Sequence, residues 1–252
     1  MKQQINFKEF YEEYGKEWVS AERKEYEILS SKWKADNVLT LLNKHPEIKT
    51  DLILDYGCGP AYFLNNLASI KEIKMVYCCD LSESMIKSAR VNFPKGKFSV
   101  EKDLSSFSKK VDIVLFMDVL EHVPNPEEIL NQSKLISDYQ FIKIPLENAL
   151  VPNLLRTLNS NKINAEGHIQ SWKQKTFIRL LEKNNFEVVD YWRGNPKREL
   201  HYYNKDRQKI SIFRKIIRAI DKFIFNFKGF YAYIYGSNLF VITRVNGKHH
   251  QN

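Results

Sequence analysis

A chain of 252 residues with 43% hydrophobic and 27% charged residues has the make-up of an ordinary globular protein, long enough for one large domain. No run approaches the roughly 18 apolar residues of a membrane span, and the opening stretch MKQQINFKEFYEEYGKEW mixes both charges where a signal segment would be apolar. Three cysteines, two of them adjacent at Cys78 and Cys79, fit neither a disulfide framework nor zinc-ligand spacing, which leaves the cytoplasm as the expected compartment.

Residues 1–45 read as two helices forming an amino-terminal lid. Ser20 caps the second, in which Tyr26, Leu29 and Trp33 recur at helical spacing ahead of Val38, Leu41 and Leu42. His45-Pro46 stops it. From Asp51 short apolar runs alternate with helical stretches. Leu52–Asp55, Met75–Cys79, Lys97–Val100, Val111–Phe116, Phe141–Ile144, Phe186–Tyr191 and Asn238–Thr243 are the expected strands. Ala61–Ser69, Glu83–Val91, Pro126–Ser137 and a segment through Phe177, Leu180 and Leu181 are the expected helices. Such alternation predicts an α/β fold, a doubly wound, seven-stranded and mostly parallel sheet over residues 46–252.

Two stretches break the alternation and read as insertions forming a substrate cap, residues 146–167 and 194–236. The second carries Ile210, Phe213, Ile217, Ile220, Ile224 and Phe227 as one apolar helical stripe. It also carries most of the charge. Between Arg193 and Lys228 eleven Lys/Arg face three acidic residues, a local excess of +8 within a net +9. This basic helical cap, inserted before the last strand, packs on the sheet in one reading. In another, residues 209–235 meet an anionic membrane surface, which suits a peripheral protein at the inner face of a membrane and a lipid-linked substrate. Nucleic acid ranks lowest, because no recognisable RNA-binding appendage accompanies the segment.

The sharpest local signal is Leu52-Ile-Leu-Asp55-Tyr-Gly57-Cys58-Gly59-Pro-Ala61, a buried strand entering a glycine turn and then a helix. Glycines let a ligand approach the backbone, and the helix N-terminus adds N–H donors. Asp80 ends the second strand, where a carboxylate can accept both hydroxyls of a ribose. A dinucleotide fingerprint needs its third glycine at position 62, which is Tyr62, so a nicotinamide or flavin enzyme is disfavoured.

The segments LILDYGCGPAYF, YCCDLSESM, EKDLSSF, VDIVLFMDVLEHVPNPEEIL, GHIQSWKQKTFIRLLEKNNFEVVDY and SNLFVITR follow one another in the order seen in class I S-adenosylmethionine-dependent methyltransferases. The chain resembles that Rossmann-like family, and within it the small-molecule branch of ubiquinone-pathway-type O-methyltransferases. The resemblance implies that S-adenosyl-L-methionine is the cofactor. It places Asp55, Gly57, Cys58 and Gly59 around the amino-acid end and Asp80 on the ribose hydroxyls. It puts Leu81 and Met85 against the adenine, Asp103 and Leu104 at its amino group, and the backbone near Met117-Asp118 toward the methionine moiety. Ala61 departs from the third glycine the family often has.

Methyl transfer to a hydroxyl needs orientation and a proton acceptor. Glu121 and His122, after the fourth strand, lie at the carboxyl edge of the sheet, and His168 follows the fifth strand; His122 is the first candidate base. The Asn/Asp-Pro-Pro-aromatic turn that resembles amino-methylating enzymes is missing at Asp118–His122, which favours an oxygen acceptor. No metal requirement is expected. The acceptor is a small molecule that is acidic, aromatic, a sugar or lipid-linked, covered in part by Tyr11, Tyr14 and Trp18. The rival readings are an RNA methyltransferase and a non-catalytic, membrane-associated scaffold that keeps the fold.

Overall fold

The computed structural model describes residues 21–100, 104, 107–146, 168–195 and 237–247. Within them the elements run α1 (Ala21–Leu42), β1 (Leu52–Tyr56), α2 (Tyr62–Ile70), β2 (Met75–Asp80), α3 (Glu83–Asn92) and β3 (Lys97–Val100). They continue with β4 (Ile113–Met117), a 3₁₀ turn (Leu120–His122), α4 (Pro126–Ser133), β5 (Tyr139–Pro145), α5 (Gln174–Lys183), β6 (Phe186–Gly194) and β7 (Asn238–Val245). The seven strands form one sheet in the order β3-β2-β1-β4-β5-β7-β6. All neighbours are parallel except β7, which is antiparallel to both β5 and β6. Chain order reverses between β1 and β4, and in doubly wound sheets the crevice for ligands opens at the carboxyl ends of the strands at such a reversal.

The near-continuous apolar strands reflect a sheet covered on both faces. Ile53, Leu115, Met117, Phe141, Phe240 and Ile242 pack on one side with residues of α1, α2 and α3. Leu54, Val114, Phe116, Ile142, Leu239 and Val241 pack on the other with Leu130 of α4 and Phe177 and Leu181 of α5. The described part of the expected lid, α1, is built into this core. Trp33 is buried edge-on against Phe240, with ring centroids 5.2 Å apart, and Val38 and Leu41 are fully buried. Residues 1–20, with Tyr11, Tyr14 and Trp18, lie outside the described residues.

Several strands run one to three residues longer than the sequence reading, and two expected elements are shorter for a local reason. α4 ends at Ser133, because the Ser133 carbonyl accepts from the N–H groups of Ile136 and Ser137 and closes a turn. β4 begins at Ile113, because the Val111 N–H donates across to the Ile136 carbonyl instead of joining a strand. The bodies of both expected insertions lie outside the described residues, but their stems are described. The Leu146 N–H donates to the Ser237 carbonyl at 2.7 Å, and the Ser237 N–H donates to the Gly194 carbonyl at 3.0 Å. The first insertion therefore leaves, and the second both leaves and returns, beside the carboxyl end of β5, whereas the first returns against Glu121 after β4.

Candidate functional site

At the carboxyl edge of β1 the chain turns through Gly57 (φ 75°), Cys58 and Gly59 (φ 52°) into α2. The Gly57 and Cys58 N–H groups both donate to the Cys79 carbonyl, at 2.8 and 3.1 Å, which pins the turn to β2. A Cβ on Gly57 would lie 2.6 Å from Val119, so the backbone there leaves no room for a side chain; Gly59 faces open space. Ala61 takes a left-handed conformation (φ 59°), and the first turn of α2 has no side-chain cap. That conformation is the physical reason a glycine suits position 61. The result is an open turn, its own N–H groups engaged within the protein, leading into an uncapped first turn of α2.

Asp55 sits at its base, 1% exposed, and its Oδ1 has no hydrogen-bond partner. Burial, and then the charge of Asp80, push its carboxyl up to about 7, while Lys34 works in the opposite direction. A buried carboxylate without a partner is costly unless a donor or cation meets it. Asp80 is differently engaged. Its Oδ2 accepts from the Gly59 N–H and its Oδ1 from the Ser82 N–H, both at 2.9 Å, so it ties the glycine turn to the start of α3. Leu81 is partly buried and Met85 is buried on α3, its N–H capped by the Ser82 side chain. Leu104 is buried and its N–H donates to the Gln132 side chain; Asp103 lies outside the described residues.

Beyond β4 the chain enters a second, charged half of the edge. Met117 is buried, and Asp118 follows in a left-handed conformation (φ 61°) with its N–H donating to the Lys143 carbonyl. Two cations hold the Asp118 carboxylate: Lys34 of α1 at 2.8 Å and Lys143 of β5. Burial opposes the charge on Asp118, but Lys143 and Lys34 outweigh it and hold the carboxyl far below its usual range. Lys34 responds in kind: burial is outweighed by Asp118 and Glu27, and its ammonium is held above the ordinary value.

Glu121 is fully buried with both carboxylate oxygens unpartnered, and burial followed by the Asp118 charge raises its carboxyl well above the usual value. Its backbone carbonyl accepts from the Ile169 and Gln170 N–H groups, both at 2.9 Å, which docks the segment after β5 against the 3₁₀ turn. Docking brings His168 to His122, ring centroids 4.7 Å apart and edge-on. One ligand atom from each of Glu121, His122 and His168 lies within 4.8 Å of the others. The three residues chosen from the sequence are thus one cluster, close enough to pass a proton or to share a cation. Lys34 and Lys143 were missed: Lys34 reads as a polar position on a helix, and Lys143 as a lone interruption of an apolar strand. That interruption was the available signal, since a buried lysine needs a partner.

A family model described as a methyltransferase domain matches residues 25–191. The chain belongs to this methyltransferase family. It is 34% identical over 132 residues to the mitochondrial ubiquinone biosynthesis O-methyltransferase of Saccharomyces cerevisiae, covering 50% of this chain and 38% of that protein. It is 31% identical over 98 residues to a ubiquinone biosynthesis O-methyltransferase of Coxiella burnetii, covering 36% of this chain and again 38% of the relative. The matches thus span well under half the length of either relative. Among solved structures, magnesium protoporphyrin IX methyltransferase of Synechocystis with bound S-adenosylhomocysteine superposes with a TM-score of 0.58 at 17% identity, covering 90% of this chain and 88% of that one. At that identity the likeness speaks for the fold. No helix among the described residues is long and apolar enough to cross a membrane.

Proposed function

We propose that this chain transfers a methyl group from S-adenosyl-L-methionine to an oxygen atom of a small-molecule acceptor. The observation that carries the reading is Asp55, a buried carboxylate with an unpartnered oxygen at the base of an open glycine turn. A positively charged nucleoside with an amino-acid tail supplies what that oxygen lacks. When bound, such a cofactor supplies an electrophilic methyl on a sulfonium. Asp55, Gly57, Cys58 and Gly59 would hold its amino-acid end, and Asp80 the ribose hydroxyls. Leu81, Met85, Asp103 and Leu104 would border the adenine, and the Met117 backbone would face the methionine moiety.

In-line displacement asks the protein chiefly for orientation, exclusion of water and removal of the acceptor proton. His122 takes that proton, and His168, in ring contact with it, passes it outward. Glu121 fixes the pair by receiving the docked segment on its backbone carbonyl. The insertions 146–167 and 194–236 cap the acceptor, a role supported by their departure at the carboxyl end of β5 and the return of the first against Glu121. Within residues 1–45, the expected lid, the buried α1 serves as a fixed wall of the site. An acidic, aromatic, sugar or lipid-linked acceptor suits the basic segment, and 209–235 would place such a protein, cytoplasmic, against an anionic membrane surface.

Calorimetric titration with S-adenosylmethionine and S-adenosylhomocysteine, on wild type and Asp80→Ala, tests the reading. Micromolar binding, lost in a variant that remains folded, is expected. Failure of well-folded wild type to bind either ligand would put the scaffold reading in its place.

A further inference from the structure

Among the described residues, neither carboxylate oxygen of the fully buried Glu121 has a hydrogen-bond partner. Folded proteins hold a buried charge with a partner of opposite charge or with a metal ion. Two imidazoles stand beside this one. His122 follows Glu121 in the 3₁₀ turn, and His168 lies edge-on to His122 with ring centroids 4.7 Å apart. One nitrogen from each ring and one Glu121 oxygen lie within 4.8 Å of one another. Both histidines are half-buried, so an ion reaches the cluster from their side.

The backbone holds the three residues in place. The His122 N–H donates to the Val119 carbonyl at 2.9 Å, and the Ile169 and Gln170 N–H groups donate to the Glu121 carbonyl, also at 2.9 Å. The Gln170 side-chain amide adds a bond to the Pro124 carbonyl at 3.2 Å. The segment that carries His168 is thereby tied to the turn that carries Glu121 and His122.

We propose that Glu121, His122 and His168 form a three-ligand site for a divalent transition ion of the zinc class. The donor set selects the ion. Magnesium and calcium take oxygen ligands, and copper(I) takes sulfur, whereas two imidazoles and a carboxylate suit zinc and its first-row neighbours. Zinc holds nitrogen and oxygen at about 2.0–2.1 Å, so tetrahedral donors lie about 3.3 Å apart. From a separation of 4.8 Å the donors need to close by about 1.5 Å at most, which side-chain rotation supplies. Three protein ligands leave one position open on such an ion. Its charge supplies what the Glu121 oxygens lack, and its binding displaces a proton held there. While the ion is bound, the nitrogens that hold it accept no proton, so the ion and the proposed proton relay exclude each other at these rings.

Tag-free full-length protein, stripped with a chelator, is titrated with zinc in a calorimeter, and native mass spectrometry counts the ions bound. Magnesium in the same assay controls for charge alone. The adjacent histidines His249 and His250 are a rival place for zinc, so a variant with both replaced by Ala is run alongside. The expected result is one zinc per chain at micromolar or tighter affinity, and no magnesium. Affinity falls at least tenfold in Glu121→Gln, in His122→Ala and in His168→Ala, and is unchanged in the His249→Ala, His250→Ala double variant. Circular dichroism establishes that each variant is folded, and His168→Ala, at a half-buried position, decides should Glu121→Gln fail to fold. Wild type that takes up no zinc overturns the proposal. So does zinc binding that is unchanged in the three single variants, that disappears with His249 and His250, or that magnesium matches. Zinc titration needs no S-adenosylhomocysteine, so its failure and the failure of the cofactor titration are separate results.

Discussion

Cofactor affinity is expected to depend on pH through Asp55. Its carboxyl in the free protein lies at about 7, raised first by burial and then by Asp80. A cationic ligand favours the ionised form and draws the carboxyl back down, so binding below 7 must release a proton. At pH 6 about one Asp55 in eleven is ionised, and at pH 8 about ten in eleven, so affinity rises about tenfold between them, or about 1.4 kcal/mol. Calorimetry with S-adenosylhomocysteine in buffers of different ionisation enthalpy reads both the slope and the proton released. Asp55→Asn removes the titration, and the ligand's own ionisation cancels in the comparison. The same shift has a signed consequence for stability. Between the ordinary carboxyl range and about 7 the folded protein keeps a proton that the unfolded chain gives up, so stability falls as pH rises through that window. Ligand-free Asp55→Asn should accordingly melt higher than wild type at pH 8 while binding the ligand worse. A wild-type affinity that is flat from pH 6 to 8, or an equal slope in Asp55→Asn, would refute the reasoning.

Further outcomes follow from other contacts. Gly57→Ala puts a methyl 2.6 Å from Val119 on a backbone at φ 75°. Left-handed strain of about 1–2 kcal/mol and overpacking of about 1–3 kcal/mol should lower the melting temperature and abolish calorimetric binding. Lys143→Met leaves Asp118 with Lys34 alone, and breaking a buried pair in this way costs about 3–5 kcal/mol. Adding Asp118→Asn should return much of that loss in urea denaturation, and additive losses would count against the pairing. Once an acceptor is known, His122→Ala should reduce turnover far more than cofactor affinity, and equal losses would remove it as the base. Methyl transfer should survive exhaustive chelation if the histidine pair works by proton transfer alone. Loss restored by one divalent ion would assign Glu121, His122 and His168 as its ligands.

Strands and helices were legible because they repeat with fixed periods and stop at glycine, proline and cap residues. Leu52–Asp55 and Phe141–Ile144 are apolar apart from Asp55 and Lys143 because the sheet is covered on both faces, and both were found. The end of α4 was not, since Ser133 closes its turn with backbone bonds that leave no mark on residue type. Asp55, Gly57, Gly59 and Asp80 were legible because they are local to one strand–turn–helix pattern. What the pattern concealed is that Asp80 already holds the glycine turn through Gly59, which makes it a part of the cradle as well as a candidate ligand contact. The apolar stripe from Ile210 to Phe227 and the basic residues around it lie outside the described residues.

The ionic cluster shows why the second half of the site was harder to read. Lys34, Asp118 and Lys143 come from a helix, a turn and a strand that are distant in sequence, and each residue taken alone is unremarkable. Their meeting divides the carboxyl edge electrostatically. Around Asp55 and Asp80 two carboxylates lie together, and burial and the Asp80 charge hold the Asp55 carboxyl up to about 7. Around Asp118 two lysines face one carboxylate, while burial and the Asp118 charge raise the neighbouring Glu121 carboxyl well above its usual value. The proposed cationic cofactor would meet the first region, and the proposed acceptor proton would leave through the second. Lys34 bridges them, pairing with Asp118 while lowering Asp55, which makes α1 an integral wall of the site.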